Sequence, residues 1–498
     1  MRSLVFLSVG WLPPIAALLL ATPVLVAHLG FGGFGVFALS SALVVAAGAL
    51  DLGLGALAVR QLARCRGEPA LFHRRAAAVN SAFLLLAILG AALTAAFAGP
   101  IAQTLQWDRD LPAPEAAAAA RWAGVWLAAT YLNVALSHGL RAVERFDLVV
   151  SLSSGAMAAV WIAAALGARA GLGAAGVVGL AAAVAAAQLV LSCLAFRRVF
   201  ARWPRLGRWR GFEPGGARFA AGAFVGQAAS LATYHADKAI VSALLGAAPT
   251  GMYAAAANVA NKPLHFIAVL ASLLFPRVAA LESAGRAFRS ARTYLAASRM
   301  LLGASTLMLA VGLVLAADFV RLWLGPQVPD AVAQCLRLLL LAYWLNTFSV
   351  APSGTLAGQG NTQRGAAFAV VGGVVITLAC LILVPHLGIL GAAVAALLGM
   401  SQAVVFELWA HREAQTRVAL SRFRLRRTAV VLAVCGAGAA AVAALLQRAL
   451  PAGWVGLLAA AAAGTVAFAA LWFGLGLAVR EERVLVGRAC RWLRRGVR

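Results

Sequence analysis

Between Leu4 and Ala27 the chain runs for 24 residues without a charged side chain, and stretches of this kind recur along its length. About 20 consecutive apolar residues are what a helix needs to cross the hydrocarbon core of a bilayer. Fourteen spans are predicted, over 4–27, 33–58, 76–103, 116–138, 148–168, 174–196, 219–246, 251–275, 294–317, 331–352, 365–385, 388–410, 428–447 and 452–478. No segment alternates apolar and polar residues with the period of a strand, which excludes a β-barrel. Of 498 residues, 63% are hydrophobic and 12% charged. That is about half the charge of a soluble domain. The predicted fold class is an all-α polytopic membrane protein.

The first apolar run is longer than a secretory signal core of about 7–15 residues, so it is expected to stay as a membrane helix. Pro13, Pro14 and Pro23 lie in it, and each removes a backbone donor. This helix should be bent or broken, either as a static kink or as a flexible gate.

The net charge of +26 comes almost wholly from arginine, since Lys238 and Lys262 are the only lysines. With the N-terminus on the cytoplasmic side, the inner segments hold 34 arginines and the outer side six. Such a bias sets orientation and draws the inner face to anionic lipid. It leaves no basic soluble module, so nucleic acid is not an expected partner. The six cysteines form no CxxC pair and no metal-ligand spacing, and are read as helix-packing residues.

The chain also repeats itself. The pattern LG-x4-G-x-aromatic-A at Leu29–Ala38 returns at Leu245–Ala254, displaced by 216 residues. Pro114-Glu115-Ala116 returns as Pro329-Asp330-Ala331, and Leu172-Gly173 as Leu387-Gly388, each displaced by 215. Six spans per copy is an even number, so the copies enter the membrane in the same sense and form two parallel lobes. The expected organisation is an N-terminal six-helix lobe (1–196), a basic cytoplasmic linker (197–218), a C-terminal six-helix lobe (219–410), and two extra helices with a basic tail (411–498). Two six-helix repeats around a central cleft, plus two C-terminal helices, suit alternating access.

Charges inside a bilayer are costly and are functional candidates by default. Asp237 and Lys238 lie in the seventh span, Lys262 in the eighth and Asp51 in the second. At 1.5 Å per residue, Lys238 and Lys262 fall about 16 and 20 Å below the turn near Ala248-Pro249, close to the midplane. An Asp237–Lys262 pair is one arrangement open to them. Polar stripes run beside these charges: Gln227, Ser230, Tyr234 and Lys238; Asn258, Asn261, Lys262 and His265; and Thr130, Asn133, Ser137 and Arg141. Such faces turn toward protein or water, as hydrogen-bonded glue or as a binding wall. Lys238 and Lys262 would hold an anionic group, or balance Asp237. Arg60, Arg64, Arg141 and Arg145 at the inner mouth would gather the same anion. Glu407 and Asp51 are placed near the inner interface, within reach of snorkelling.

The residues "LGFGGFGVFAL", "ALDLGLGALAVRQLA" (49–63), "ADKAIVSALLGAAPTGMYAAAANVA" (236–260) and "LLFP" (273–276) are similar to those of a known family. The chain resembles, over its whole length, the Wzx-type polysaccharide flippases of the multidrug/oligosaccharidyl-lipid/polysaccharide transporter superfamily. The family often carries a base where Asn258 and Asn261 stand here, and Lys262 stands in for it. The resemblance implies transport of an undecaprenyl-diphosphate-linked oligosaccharide from the inner to the outer leaflet of a bacterial inner membrane, with both termini cytoplasmic. The product would feed lipopolysaccharide O-antigen or exopolysaccharide assembly, beside other polysaccharide assembly proteins and membrane lipids as partners. Lys238, Lys262, Arg60, Arg141, Arg145, Tyr234, Asn258 and Asn261 are the expected substrate contacts. Asp237, Asp51 and His265 are the candidates for coupling to H+ or Na+; no metal or other cofactor is expected.

Three rivals remain. A multidrug antiporter holds organic cations and needs a carboxylate-lined cavity. A lipid-linked peptidoglycan precursor flippase shares the same helical plan. A membrane glycosyltransferase or polymerase would need a polar domain, a carboxylate-rich loop or a nucleotide-binding loop, and none is present, so a transporter and not an enzyme is expected.

Overall fold

The structure, a computed structural model, describes residues 10–49, 51–208, 235–268, 287–358, 363–417 and 425–474, with residues 220, 224, 227, 228, 231, 270, 271 and 281 between them. Among the described residues every regular element is helical. Among the described residues ten helices are long and apolar enough to cross a membrane, so this is a multi-pass membrane protein. The expected count of fourteen is not reached among the described residues. One reason is that the first two expected spans run on as α1 (Leu12–Ala49). Another is that much of the seventh span, 219–246, lies outside the described residues.

Within α1 the break is at Gly30, whose φ of 66° and ψ of 178° are not helical. The prolines are not the breaking point. Pro13 and Pro14 sit in the first turn, where no intrahelical donor is needed, and Pro23 is carried inside the helix. The second expected span also ends early. After Ala49 the chain turns through Leu52 and Gly53, both at positive φ, and restarts as α2 (Leu54–Arg64). Next come α3 (Pro69–Ala96), α4 (Ala98–Thr104), α5 (Ala113–Ala142), α6 (Phe146–Arg169) and α7 (Ala174–Phe200). Then follow α8 (Ala236–Leu245), α9 (Ala247–Ala260), α10 (Ala287–Leu324), α11 (Asp330–Thr347) and α12 (Val350–Gly358). The last helices are α13 (Gln363–Leu387), α14 (Ile389–Met400), α15 (Gln402–Arg417), α16 (Leu425–Ala449) and α17 (Trp454–Ala469).

The chain divides into two compact units, Met1–Ala255 with Thr377–Ala392, and Ala256–Ile376 with Ala393–Arg498. In the first, α5 is the central helix, packed against α1, α2, α3 and α7. Small residues let it come close: Ala116, Ala119, Ala120 and Gly124 on its buried face are all Ala or Gly. Near its C-terminal end, Leu136 and Ala142 join Leu62, Cys65, Phe72 and Phe196 in a buried cluster. In the second unit α10 has the same role, packed on α11, α15, α16 and α17. Its Leu302 and Ala310 pack with Cys435, Ala439, Phe468 and Trp472. The cysteines at 65, 193, 335, 380 and 435 are free thiols within such packing.

Candidate functional site

The polar stripe of α5 lines a cavity of about 250 Å³ inside the first unit, bounded by α1, α5, α6 and α7. Thr130, Asn133, Ser137 and Arg141 recur at the spacing that keeps one helical face together, and all four reach the cavity wall. Ser41, Ser153, Gln188 and Ser192 add polar groups from the facing helices, while Trp126, Trp161 and Met157 supply apolar surface. No carboxylate is among its described lining residues.

The hydroxyls of Thr130, Ser137, Ser153 and Ser192 in this wall have already spent their protons. Thr130 Oγ1 donates to the Trp126 carbonyl (2.9 Å), Ser137 to Val134 (2.8 Å) and Ser153 to Val149 (2.8 Å). Each oxygen keeps a lone pair for a donor in the cavity. Asn133 is buried and fully engaged. Its Nδ2 donates to the carbonyls of Ala129 and Ala185, both at 3.0 Å, and its Oδ1 accepts from Ser192 at 2.9 Å. It ties α5 to α7. The indoles are fixed too, with Phe37 stacked on Trp126 at 6.3 Å and edge-on to Trp161 at 5.2 Å. Arg141, at the C-terminal end of α5, supplies the positive charge in this wall, and its residue is exposed.

The other expected arginines behave differently. Arg145 forks onto Asp147 through Nε and Nη2, both at 2.9 Å. The Asp147 side-chain bonds hold its guanidinium above the ordinary arginine range. Arg145 is therefore committed to its neighbour. Arg60 is exposed on α2 and is not among the lining residues of this cavity.

Asp51 caps a helix. Its Oδ1 accepts the Gly53 N–H at 3.0 Å, its Oδ2 the Gly55 N–H at 2.8 Å, and its carbonyl the Leu54 N–H at 2.9 Å. Three of the orphan donors at the start of α2 are satisfied by this one residue. Gln227 also bonds to the carboxylate, and the buried His138 ring nitrogen Nε2 lies 3.9 Å away. The motif Asp51-Leu52-Gly53 is thus the signature of a helix restart.

Asp237 and Lys238 are both buried at the start of α8. Lys238 Nζ lies 3.6 Å from Asp237 Oδ1, and the Tyr253 hydroxyl donates to Asp237 Oδ2 at 2.5 Å. Lys238 Nζ also stands 5.9 Å from the centre of the Tyr253 ring. These described partners of Asp237 belong to its own unit. Tyr234 lies outside the described residues.

Asn258, Asn261, Lys262 and His265 fall in the second unit, each half-buried. His265 Nδ1 is 2.9 Å from the Asn261 carbonyl. A larger cavity of about 710 Å³ lies in the same unit, walled by apolar side chains of α10, α11, α15 and α16, Leu309, Leu313, Phe348 and Leu432 among them. Among its described lining residues the one carboxylate is Glu407. Glu407 is 2% exposed, buried against the protein. It accepts hydroxyl protons from Ser298 at 2.5 Å and Tyr294 at 3.0 Å, with His411 Nδ1 at 3.8 Å. Arg299, counted from the sequence as a loop charge, is 2% exposed inside α10, with its guanidinium 5.1 Å from the Trp472 ring centre. Among the described residues no three His, Cys, Asp or Glu side chains converge as metal ligands.

No protein-family model matches the chain, and no curated protein does. Solved structures do. The lipid II flippase MurJ in an inward closed conformation matches over 94% of this chain and 98% of its own, at TM-score 0.73 and 12% identity. The inward-facing conformation of a multidrug resistance MATE family transporter of the MOP superfamily matches over 82% and 96%, at TM-score 0.63 and 15% identity. A MOP superfamily transporter from Pyrococcus furiosus, described as having a binding pocket of reversed polarity, matches over 84% and 96%, at TM-score 0.54 and 17% identity. The chain has the fold that these transporters share.

Proposed function

We propose that the protein flips an undecaprenyl-diphosphate-linked oligosaccharide across the bacterial inner membrane, by alternating access, for surface polysaccharide assembly. The observation that carries this reading is the cavity of the first unit. Its wall offers an arginine, hydroxyls, the Gln188 amide and two indoles, with no carboxylate among the described lining residues. An arginine recognises phosphate, and hydroxyls with free lone pairs recognise sugar hydroxyls. An organic cation would find no counter-charge there, which weighs against a multidrug antiporter. Likeness in fold to a lipid II flippase along nearly the whole chain supports movement of a lipid-linked substrate.

In this reading Arg141 contacts the diphosphate, and the N-terminal and C-terminal six-helix lobes rock about the substrate with both chain termini on the cytoplasmic side. Lys238 and Lys262 remain candidates for the same anion, and Asp237, Asp51 and His265 for coupling to H+ or Na+.

The test is deletion of the gene, with surface polysaccharide and inner-leaflet lipid-linked oligosaccharide both measured. Loss of the polymer with accumulation of the lipid-linked repeat is the expected result. Normal polymer with new drug sensitivity would replace this reading with cation antiport. An inviable deletion rescued only by a peptidoglycan precursor flippase would assign that substrate.

A further inference from the structure

α7 ends at Phe200, and Ala201, at φ 54°, turns the chain back on itself. Residues 203–208 then form no helix, yet they are fixed to α3. The Gly207 N–H donates to the Ala77 carbonyl at 3.1 Å and to Ser81 Oγ at 2.9 Å. Asn80, buried, donates from Nδ2 to the Arg205 carbonyl at 3.1 Å. A β-carbon on Gly207 would stand 2.8 Å from that of Ala77, so a glycine lets the strap lie this close. The start of the expected linker is therefore part of the fold.

The strap encloses a cavity of about 190 Å³ against the first turns of α3. Arg74 and His73 reach it from the helix, and Arg202, Trp203 and Arg205 from the strap. No carboxylate is among the described lining residues, and the cavity shares none of them with that of Arg141. Three exposed arginines that line one cavity repel one another, and an anion bound among them reverses the sign. The planar fork of arginine matches phosphate oxygens. Beside the arginines, Trp203 is 49% exposed and Leu206 62%, with the Arg197 guanidinium 4.7 Å from the Trp203 ring centre. Exposed indole and leucine next to arginine are what a chain presents at a membrane–water boundary.

We propose that this pocket binds a phosphate group through Arg74, Arg202 and Arg205, and that a phospholipid headgroup supplies it. The site is separate from the transport cavity and does not depend on what that cavity carries.

The full chain in mild detergent, examined by native mass spectrometry with added phosphatidylglycerol, phosphatidylcholine or inorganic phosphate, tests this. The triple variant R74Q/R202Q/R205Q leaves the backbone and Asn80 bonds of the strap in place, and an unchanged melting temperature confirms its fold. Wild-type protein is expected to retain phosphatidylglycerol about tenfold more tightly than the variant, with phosphatidylcholine held weakly by both. Binding of inorganic phosphate by the wild type alone, with phosphatidylglycerol retention equal in the two, keeps the phosphate site and overturns the lipid source. A control variant, R412Q/R426Q/R427Q, removes the same charge from the second unit. Equal loss of phosphatidylglycerol from the control and the pocket variant, or no loss from the pocket variant with no phosphate binding, overturns the proposal.

Discussion

Gly35 and Gly251 meet backbone to backbone. A β-carbon on Gly35 would stand 1.9 Å from the Ala247 carbonyl oxygen, and one on Gly251 would stand 2.1 Å from that of Phe31. The contact is reciprocal at the repeat distance, since 31 and 35 carry over to 247 and 251 on adding 216. The preceding turns match as well: Gly30 and Gly246 both combine a positive φ with an extended ψ. The two matching stretches of sequence therefore touch through their own glycines.

Gly35→Ala and Gly251→Ala should each destabilise the protein by about 1–3 kcal/mol, because a backbone oxygen cannot step aside as a side chain can. The double variant should cost less than the sum, as both changes open the same contact. Gly155→Ala is the matched control, since nothing lies within 4 Å of its added carbon. Thermal unfolding in detergent reads all four. A Gly35→Ala protein that melts with the wild type would show that the two stretches are not in this contact.

In the first cavity, Arg141 and Arg145 should separate. Arg141→Ala removes the charge from the cavity wall and is expected to lower transport at least about tenfold, with membrane expression unchanged. Arg145→Ala breaks an exposed pair with Asp147, and such pairs carry little energy. Its transport should stay near wild type. Lipid-linked oligosaccharide accumulation in cells complemented with each variant reports the difference, and equal loss in both would remove Arg141 from the binding wall.

Much of this was written in the chain. Apolar runs gave the helices, and the spacing of Thr130, Asn133, Ser137 and Arg141 gave one wall of a cavity, because helical periodicity is local. What each polar residue bonds to was not local. Asn133 is glue to α7 through Ala185 and Ser192, more than 50 residues away in sequence. Glu407 is visible in the sequence as a charge in an apolar run, but not what it bonds to. Its partners Tyr294 and Ser298 lie over 100 residues earlier, at the edge of a segment counted as loop. Arg299 was counted with that loop for the same reason: α10 begins at Ala287, several residues before hydropathy alone begins the span.

The cap on α2 gives a sharper expectation. Asp51→Ala frees two buried N–H groups and should cost about 2 kcal/mol. Asp51→Asn keeps one acceptor oxygen and should cost about half as much. Hydrogen exchange at the Gly53 and Gly55 amides, measured alongside the melting temperature, ties the loss to this turn. If Asp51 instead serves ion coupling alone, both variants will keep wild-type stability and lose transport equally.

Lys238 poses the hardest separation, between charge balance and anion binding. It is buried beside Asp237, whose other oxygen receives Tyr253. Removing one partner of a buried ion pair leaves the other uncompensated, at about 3–5 kcal/mol. Lys238→Met should therefore reduce the amount of folded protein in the membrane. Asp237→Asn with Lys238→Met removes both charges while keeping volume and an acceptor for Tyr253, and should restore expression. Transport by that double variant decides the role. Normal transport makes the pair structural, whereas a well-expressed but inactive double variant shows that one of these charges acts on the substrate or the coupling ion. Lys262→Met then tells which: loss of transport there as well favours an anion held by lysines, and its retention leaves Asp237 as the active group.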